Sequence, residues 1–429
     1  MTYPVRRLSH VASTKTSNVD KKSCDGEVVV RLCNYTDVYK NDVITADMDF
    51  MVASATKDQV GKFGLRVGDT VFTKDSETAD DIGIPAYIVE SAHDLVCGYH
   101  LAIARPFEGA ADPRFLYWCL ASPEAAQQWS VLASGVTRVG LRQADIGKLE
   151  IPVPLLQTQR KVAAFLDRET ARIDDLIGKQ ERLIELLAEK RQAIINHAVT
   201  QGLDPKTPTK PAGIQWLEVI PSHWRSSRMS FEVWVRARLG WKGLKAEEYV
   251  ENGIAFLSTP NIKGRRIDLT DVNRITPLRF EESPEIKLSV GDVVLAKDGS
   301  TLGTVNVVRD LPEPVTVNSS IAVLTPSPRV NGVYLHYLLQ ADFLCNIIQL
   351  LKGGMGVPHL FQDDIKRFGI PVPPAAEQEA ISTYLDETIE ALDLIITKVQ
   401  ASIDLLHERR SGLISAAITG KFEVLEEDS

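Results

Sequence analysis

The chain repeats itself. Residues 151–154 read IPVP and residues 370–373 read IPVP again, 219 positions later, and the alignment continues without a gap for about fifty residues. The first copy runs IPVPLLQTQRKVAAFLDRETARIDDLIGKQERLIELLAEKRQAIINHAVT. The second runs IPVPPAAEQEAISTYLDETIEALDLIITKVQASIDLLHERRSGLISAAIT. Gln159/Gln378, Leu166/Leu385, Asp167/Asp386, Lys179/Lys398, Leu187/Leu406, Arg191/Arg410 and Thr200/Thr419 coincide. A period this long is not that of a solenoid, whose units run ~20–50 residues. It marks the duplication of a whole module.

Both copies have the period of a helix. In the second, Leu385, Ile389, Leu392, Ile396, Val399, Ile403, Leu406, Leu413 and Ala417 alternate steps of four and three, which is a heptad seam. In the first, Leu166, Ile173, Ile177, Ile184, Leu187 and Ile194 keep the same phase. No proline interrupts either run. Prolines stand just before each, at Pro154 and at Pro373–Pro374, where a missing N–H does least harm. Each helix would be about 60 Å long and needs a partner with a matching stripe. The other copy is the best one in the chain, although two amphipathic helices packed separately on their own domains would fit the same pattern. Arg191 and Arg410 fall on the seam, where a polar group fixes register or the seam frays.

The remaining sequence is duplicated more faintly. LRVGDTVFTKD (65–75) answers LSVGDVVLAKD (288–298), VCGYHLAIARP answers VNSSIAVLTP, and RFLYWCLASPE answers VYLHYLLQADF. ASGVTRVGLRQADIGKLE answers KGGMGVPHLFQDDIKRFG, and IPVP follows each. Short β-runs broken by Gly, Pro and Asp dominate these regions. The expected order is a first globular domain (1–150), a first long helix (151–201), a linker (202–212), a second globular domain (213–369), a second long helix (370–421) and a tail (422–429). The expected class is α+β: two tandem α/β globular domains separated by two long helices that form an antiparallel coiled coil with pseudo-twofold symmetry, one domain at each end.

With 44% hydrophobic and 24% charged residues the composition is that of ordinary globular protein, and 429 residues exceed one simple core. The net charge of -9 argues against a chain that coats nucleic acid by bulk positive charge. Cys24, Cys33, Cys97, Cys119 and Cys345 lie far apart with no CxxC, as expected of reduced thiols in a cytoplasmic protein. MTYPVRRLSH has no apolar stretch of a secretory signal, and no window has the ~18 apolar residues of a membrane span.

Taken together, SGVTRVGLRQADIGKLEIPVPLLQTQ, GGMGVPHLFQDDIKRFGIPVPPAAEQ, WLEVIPSHW and the order of parts resemble the specificity subunit of a type I restriction-modification system, over essentially the whole chain. The resemblance implies that each globular domain is a target-recognition domain reading one half of a bipartite site in double-stranded DNA. It implies that the helical rod is a ruler for the unread bases between and a dock for two methyltransferase subunits, that restriction or translocase subunits join, and that the chain itself has no catalytic activity. The residues agree. No [ND]PP[FY] or FxGxG motif is present, DGSTLGTV lacks the GK[ST] ending of a phosphate loop, and the eight histidines show no ligand spacing, so neither cofactor nor metal is expected.

Specific reading needs a few placed donors rather than a high pI. Lys263, Arg265 and Arg266 in NIKGRRID form the best basic loop, or a solvated hairpin tip. Lys74 and Lys297 are matched by the repeat after VGD. Arg138, Arg142 and Gln143 precede the first helix, and Gln362 matches Gln143 with His359 nearby. These loops face DNA or cap the helices. Asn318 and Ser319 suit base edges or a turn. Two rivals stand beside this reading: a non-DNA coiled-coil scaffold presenting two protein-binding domains, and a self-contained methyltransferase or nuclease.

Overall fold

The structure, a computed structural model, describes residues 3–238, 246–351 and 359–422. The Gly-Gly-Met-Gly stretch before His359 and the tail from residue 423 lie outside them. Contacts divide the chain into two units. The first comprises Met1–Glu181 with Gln400–Ser429, and the second Arg182–Val399. The cut passes through both long helices, Leu156–Gln201 and Ala375–Thr419, so each unit contains half of each.

Within the first unit, five strands form one sheet in the order Ala12–Thr16, Leu101–Pro106, Thr70–Thr73, Pro85–Ile88, Val43–Ile44. Val28–Cys33 is the centre of a second sheet, antiparallel to Met51–Ala55 and parallel to Leu95–Cys97. The second unit repeats the plan. Val233–Arg236, Ile321–Pro326, Val293–Ala296 and Val305–Val307 form one sheet, and Ile254–Leu257 lies antiparallel to Asn273–Ile275 and parallel to Val315–Val317. VGD makes the same turn in both, with Gly68 and Gly291 at φ 92° and 91°, a region where a Cβ is strained. Asp69 and Asp292 then accept the backbone N–H three residues back, each at 2.8 Å. Each of these two buried carboxylates takes an arginine from a different strand: Arg105 at 2.6 Å in the first unit, Arg236 at 2.7 Å in the second.

The repeated IPVP has a mechanical reason. Its first residues close a two-stranded ribbon, Glu150–Pro152 against Val5–Arg7 and Gly369–Val372 against Arg225–Arg228. The chain then turns into the helix, and a buried glutamine fixes the turn. Gln159 donates to the Pro154 carbonyl (2.8 Å) and accepts from the Asp112 N–H (2.7 Å). Gln378 donates to the Pro373 carbonyl (2.8 Å) and accepts from the Asn331 N–H (2.7 Å). Asp112 and Asn331 in turn cap the helices Pro113–Leu120 and Gly332–Leu338, so one amide joins helix cap to long helix in each unit. About two turns further on, Asp167 accepts from Trp118 Nε1 (2.8 Å) and Arg114 (2.7 Å), and Asp386 accepts from the Tyr337 hydroxyl (2.7 Å) and Arg309 (2.7 Å).

The helices run antiparallel in each unit. In the first, Val162, Ala163 and Leu166 share a core with Ile414, Ala417 and Ile418. In the second, Ile195, Ala198 and Val199 share one with Ile381, Leu385 and Ile389. Of the expected seam, Leu166, Ile173, Ile177, Leu385, Leu392 and Ile403 are buried, while Ile184, Leu187, Ile396 and Leu406 are half-buried. Each full burial of such a side chain is worth about 1.5–3 kcal/mol. The seam arginines reach across: Arg410 lies 2.9 Å from Asp174, and Arg191 lies 3.7 Å from Asp393. Asp174 and Asp393 are themselves 219 positions apart, so the two ion pairs are images of each other under the duplication. Arg410 also pairs with Asp42 at 2.7 Å. The segment expected as a linker, 202–212, runs at Thr209 into a hairpin, Thr209–Ile214 with Leu217–Pro221, whose Ala212 and Ile220 are buried against the helix.

Candidate nucleic-acid interface

Lys74 and Lys297 stand at the ends of the strands that follow VGD. Neither ammonium is free. Lys74 Nζ donates to Asp75 (2.8 Å) and sits 4.5 Å over the Tyr99 ring, and Lys297 Nζ donates to Asp298 (3.0 Å). Asp75 also holds His100 Nδ1 at 2.9 Å, and Asp298 holds His359 Nδ1. Burial works against the Asp75 carboxylate, but the hydrogen bonds from Lys74 and His100 hold it below the usual carboxylate range. Arg238, Lys297, His359, Phe361, Gln362 and Lys366 are among the residues lining a cleft of about 350 Å³ in the second unit.

The loop before the first helix is partly committed to structure. Gln143 spans the strand Ala12–Thr16, accepting from Thr16 N–H (2.7 Å) and donating to the Thr14 carbonyl (3.0 Å). Arg142 donates to Ser134 Oγ (3.1 Å) and remains largely exposed; Arg138 is exposed. In NIKGRRID, Lys263 and Arg266 are exposed, but Arg265 reaches the second long helix, donating to Glu390 (2.9 Å) and to the Asp386 carbonyl (3.0 Å). That loop is a strut at Arg265 and open only on either side of it. Asn318 turns its side-chain oxygen to the Ser320 N–H (3.1 Å), the turn geometry, while Ser319 is exposed.

Sequence reasoning missed a duplicated pair of cations. Arg7 and Lys148 in the first unit correspond to Arg228 and Arg367 in the second, and all four are exposed. Arg7 and Arg228 lie on the ribbon that closes with IPVP, while Lys148 follows Gln143–Ile146 and Arg367 ends Gln362–Arg367. Aligning VRRLSHV with RSSRMSFEV would have found the first pair. Sequence reasoning also passed over His100, because its partner Asp75 is 25 residues away. Among the described residues no cluster of three or more His, Cys, Asp or Glu could hold a metal ion, and no helix is long and apolar enough to cross a membrane.

Comparison with known proteins agrees with this architecture. The type I restriction modification DNA specificity domain matches residues 5–186 and 244–404. The MjaVIII type I restriction enzyme specificity subunit of Methanocaldococcus jannaschii is 22% identical over 317 residues, 73% of this chain and 71% of the relative. A chain solved in work on complex assembly and conformational transition of the type I R-M system superimposes with a TM-score of 0.72 at 16% identity, covering 98% of each chain. The HsdS subunit from Thermoanaerobacter tengcongensis gives a TM-score of 0.53 at 16% identity, covering 98% of this chain and 97% of that one. With most of its length matched in two successive copies, the chain belongs to the type I restriction-modification DNA specificity family.

Proposed function

We propose that the chain is the DNA-recognition subunit of a type I restriction-modification assembly. Each unit reads one half of a bipartite site, and the paired helices fix the number of unread bases between the halves. Two methyltransferase subunits dock on the helices, restriction subunits join them, and the chemistry belongs to those partners in the cytoplasm rather than to this chain. The observation that carries this reading is the way the two units agree and differ. Their internal anchors recur: Gln159 and Gln378 make the same two bonds, and Asp167 and Asp386 both tie the long helix to the short helix that carries Trp118 or Tyr337, whereas the exposed groups at the strand ends do not coincide.

Duplex DNA has the same two-sided character. Its phosphate backbone is alike at both half-sites, so groups that position the duplex recur in both units, as Arg7/Lys148 and Arg228/Arg367 do. Its base edges differ, so groups that read them differ. With a net charge of -9 the chain supplies few phosphate contacts of its own, and the methyltransferase partners supply much of the backbone clamping. The test is selection of duplexes from a randomised pool, by the isolated chain and by the chain assembled with a co-purifying methyltransferase. The assembled form is expected to enrich two short fixed segments separated by a constant unselected gap, and the lone chain to bind weakly and salt-sensitively. Enrichment of one continuous segment, or of none, contradicts the proposal.

A further inference from the structure

The carboxylates of Asp75 and Asp298 occupy equivalent places, yet their histidines arrive from opposite flanks. His100 comes from the segment leading into Leu101–Pro106, and its equivalent in the second unit is Ser320: Lys74 N–H donates to the His100 carbonyl (2.9 Å) and Lys297 N–H to the Ser320 carbonyl (2.8 Å). His359 comes from the segment before the second long helix, and its equivalent in the first unit is Gly140. Gly140 pairs with Asp75 as His359 pairs with Asp298, and the next residues, Leu141 and Leu360, donate to the Lys74 and Lys297 carbonyls, each at 2.8 Å. The duplication therefore did not hand down one histidine to both units. Two different positions converged on an imidazole at one carboxylate.

An aromatic ring accompanies each imidazole edge-on. Tyr99 lies 5.0 Å from His100 at 87°, and Phe361 lies 4.4 Å from His359 at 66°. Both rings are exposed, at 50% and 62%. Neither imidazole is required for charge balance, since Lys74 and Lys297 already compensate the carboxylates. This distinguishes the pair from Asp69 and Asp292, which are fully buried and need their arginines. A carboxylate accepts only, so Nδ1 carries the proton and, in the neutral ring, Nε2 is left as an acceptor. The imidazole side chains are 41% and 36% exposed, enough to meet a ligand.

We propose that His100 with Tyr99, and His359 with Phe361, are the base-reading heads of the two units: each Nε2 accepts a hydrogen bond from the exocyclic amino group of a base, while the neighbouring ring packs on the adjoining base edge. Asp75 and Asp298 are positioning residues that fix the tautomer. An adenine N6 or cytosine N4 amine in the major groove has the matching donor, and a thymine methyl suits the ring. Because the imidazoles approach from opposite flanks, the same acceptor addresses different places in the two half-sites. This inference rests on the DNA-recognition reading and assigns residues within it.

The test uses the chain assembled with its methyltransferase, on the duplex that the unaltered complex selects. His100→Ala is expected to lower the preference at one base position of one half-site about tenfold and to leave the other half-site unchanged; His359→Ala does the reverse. Asp75→Asn, whose amide can donate to Nδ1 and shift the proton to Nε2, loosens the same position as His100→Ala. A second arm leaves the protein intact and replaces the base by an analogue lacking the exocyclic amine. Binding falls about tenfold with the unaltered chain and no further with the alanine variant. If the histidine variants keep every preference of the unaltered complex, or if amine removal and histidine removal add independently, the assignment is overturned. If the unaltered complex selects no sequence at all, the DNA-recognition reading fails and takes this assignment with it.

Discussion

Gln159 and Gln378 sit at matching positions, bond matching carbonyls and hold matching helix-capping residues, whereas His100 and His359 reach matching carboxylates from positions that do not match. The first kind of likeness is inheritance under constraint. A buried amide that satisfies a proline carbonyl and a helix cap together cannot drift without leaving polar groups unpaired. The second kind is a changed surface on a kept frame. The two units thus separate what holds the domain to its helix from what the domain offers outward.

The kept frame is not equally strong in both units. Asp386 accepts a bidentate Arg309 and the Tyr337 hydroxyl, and its backbone carbonyl takes Arg265. Asp167 accepts one arginine nitrogen and Trp118 Nε1 and is more exposed. Asp386→Ala leaves a guanidinium and a hydroxyl half-buried without their acceptor and is expected to destabilise the second unit by about 3 kcal/mol. Asp167→Ala is expected to cost the first unit about 1 kcal/mol. Urea unfolding followed by hydrogen exchange in Val293–Ala296 and in Thr70–Thr73 measures both. Equal costs would break the comparison.

A second difference is set by pH. Tyr117 and His336 are equivalent positions in the helices that carry Trp118 and Tyr337. Burial, with Arg309 and Arg191 nearby, pushes the His336 imidazole down to about 3 despite the opposing pull of Asp386. Because the folded value lies below the unfolded ~6.5, the unfolded chain takes up protons first as pH falls. The stability of the second unit is therefore complete above ~6.5 and declines toward 3, by about 2 kcal/mol at pH 5. The first unit carries no such histidine at Tyr117. Comparing hydrogen exchange of the two cores at pH 7 and pH 5 should show protection lost preferentially in the second, and His336→Gln should remove the excess loss. A loss that persists in the variant would assign it elsewhere.

Much of the frame was legible in the sequence because it is periodic or repeated. The heptad phase gave the helix pair, and the IPVP alignment gave the duplication and the matching glutamines. The site was less legible, for a physical reason. NIKGRRID reads as a basic loop, but Arg265 spends its charge on Glu390, a residue 125 positions away. Lys74 and Lys297 read as repeat-matched candidate contacts, and each is held by the very next residue. Gln143 reads as a group that faces DNA or caps the helix entry, and in the structure its amide clamps a strand edge. Local sequence shows which groups exist, while the fold decides which of them are already satisfied.

The ruler is the central claim, and the division of contacts shows where to test it. Seven residues inserted into each long helix between Glu181 and Arg182 and between Val399 and Gln400 preserve the seam phase and leave the contacts of each unit intact. Site selection by the assembled complex carrying both insertions is expected to return the two half-sites of the unaltered complex, base for base, with a changed number of bases between them. Altered half-sites, or an unaltered gap, would contradict the account.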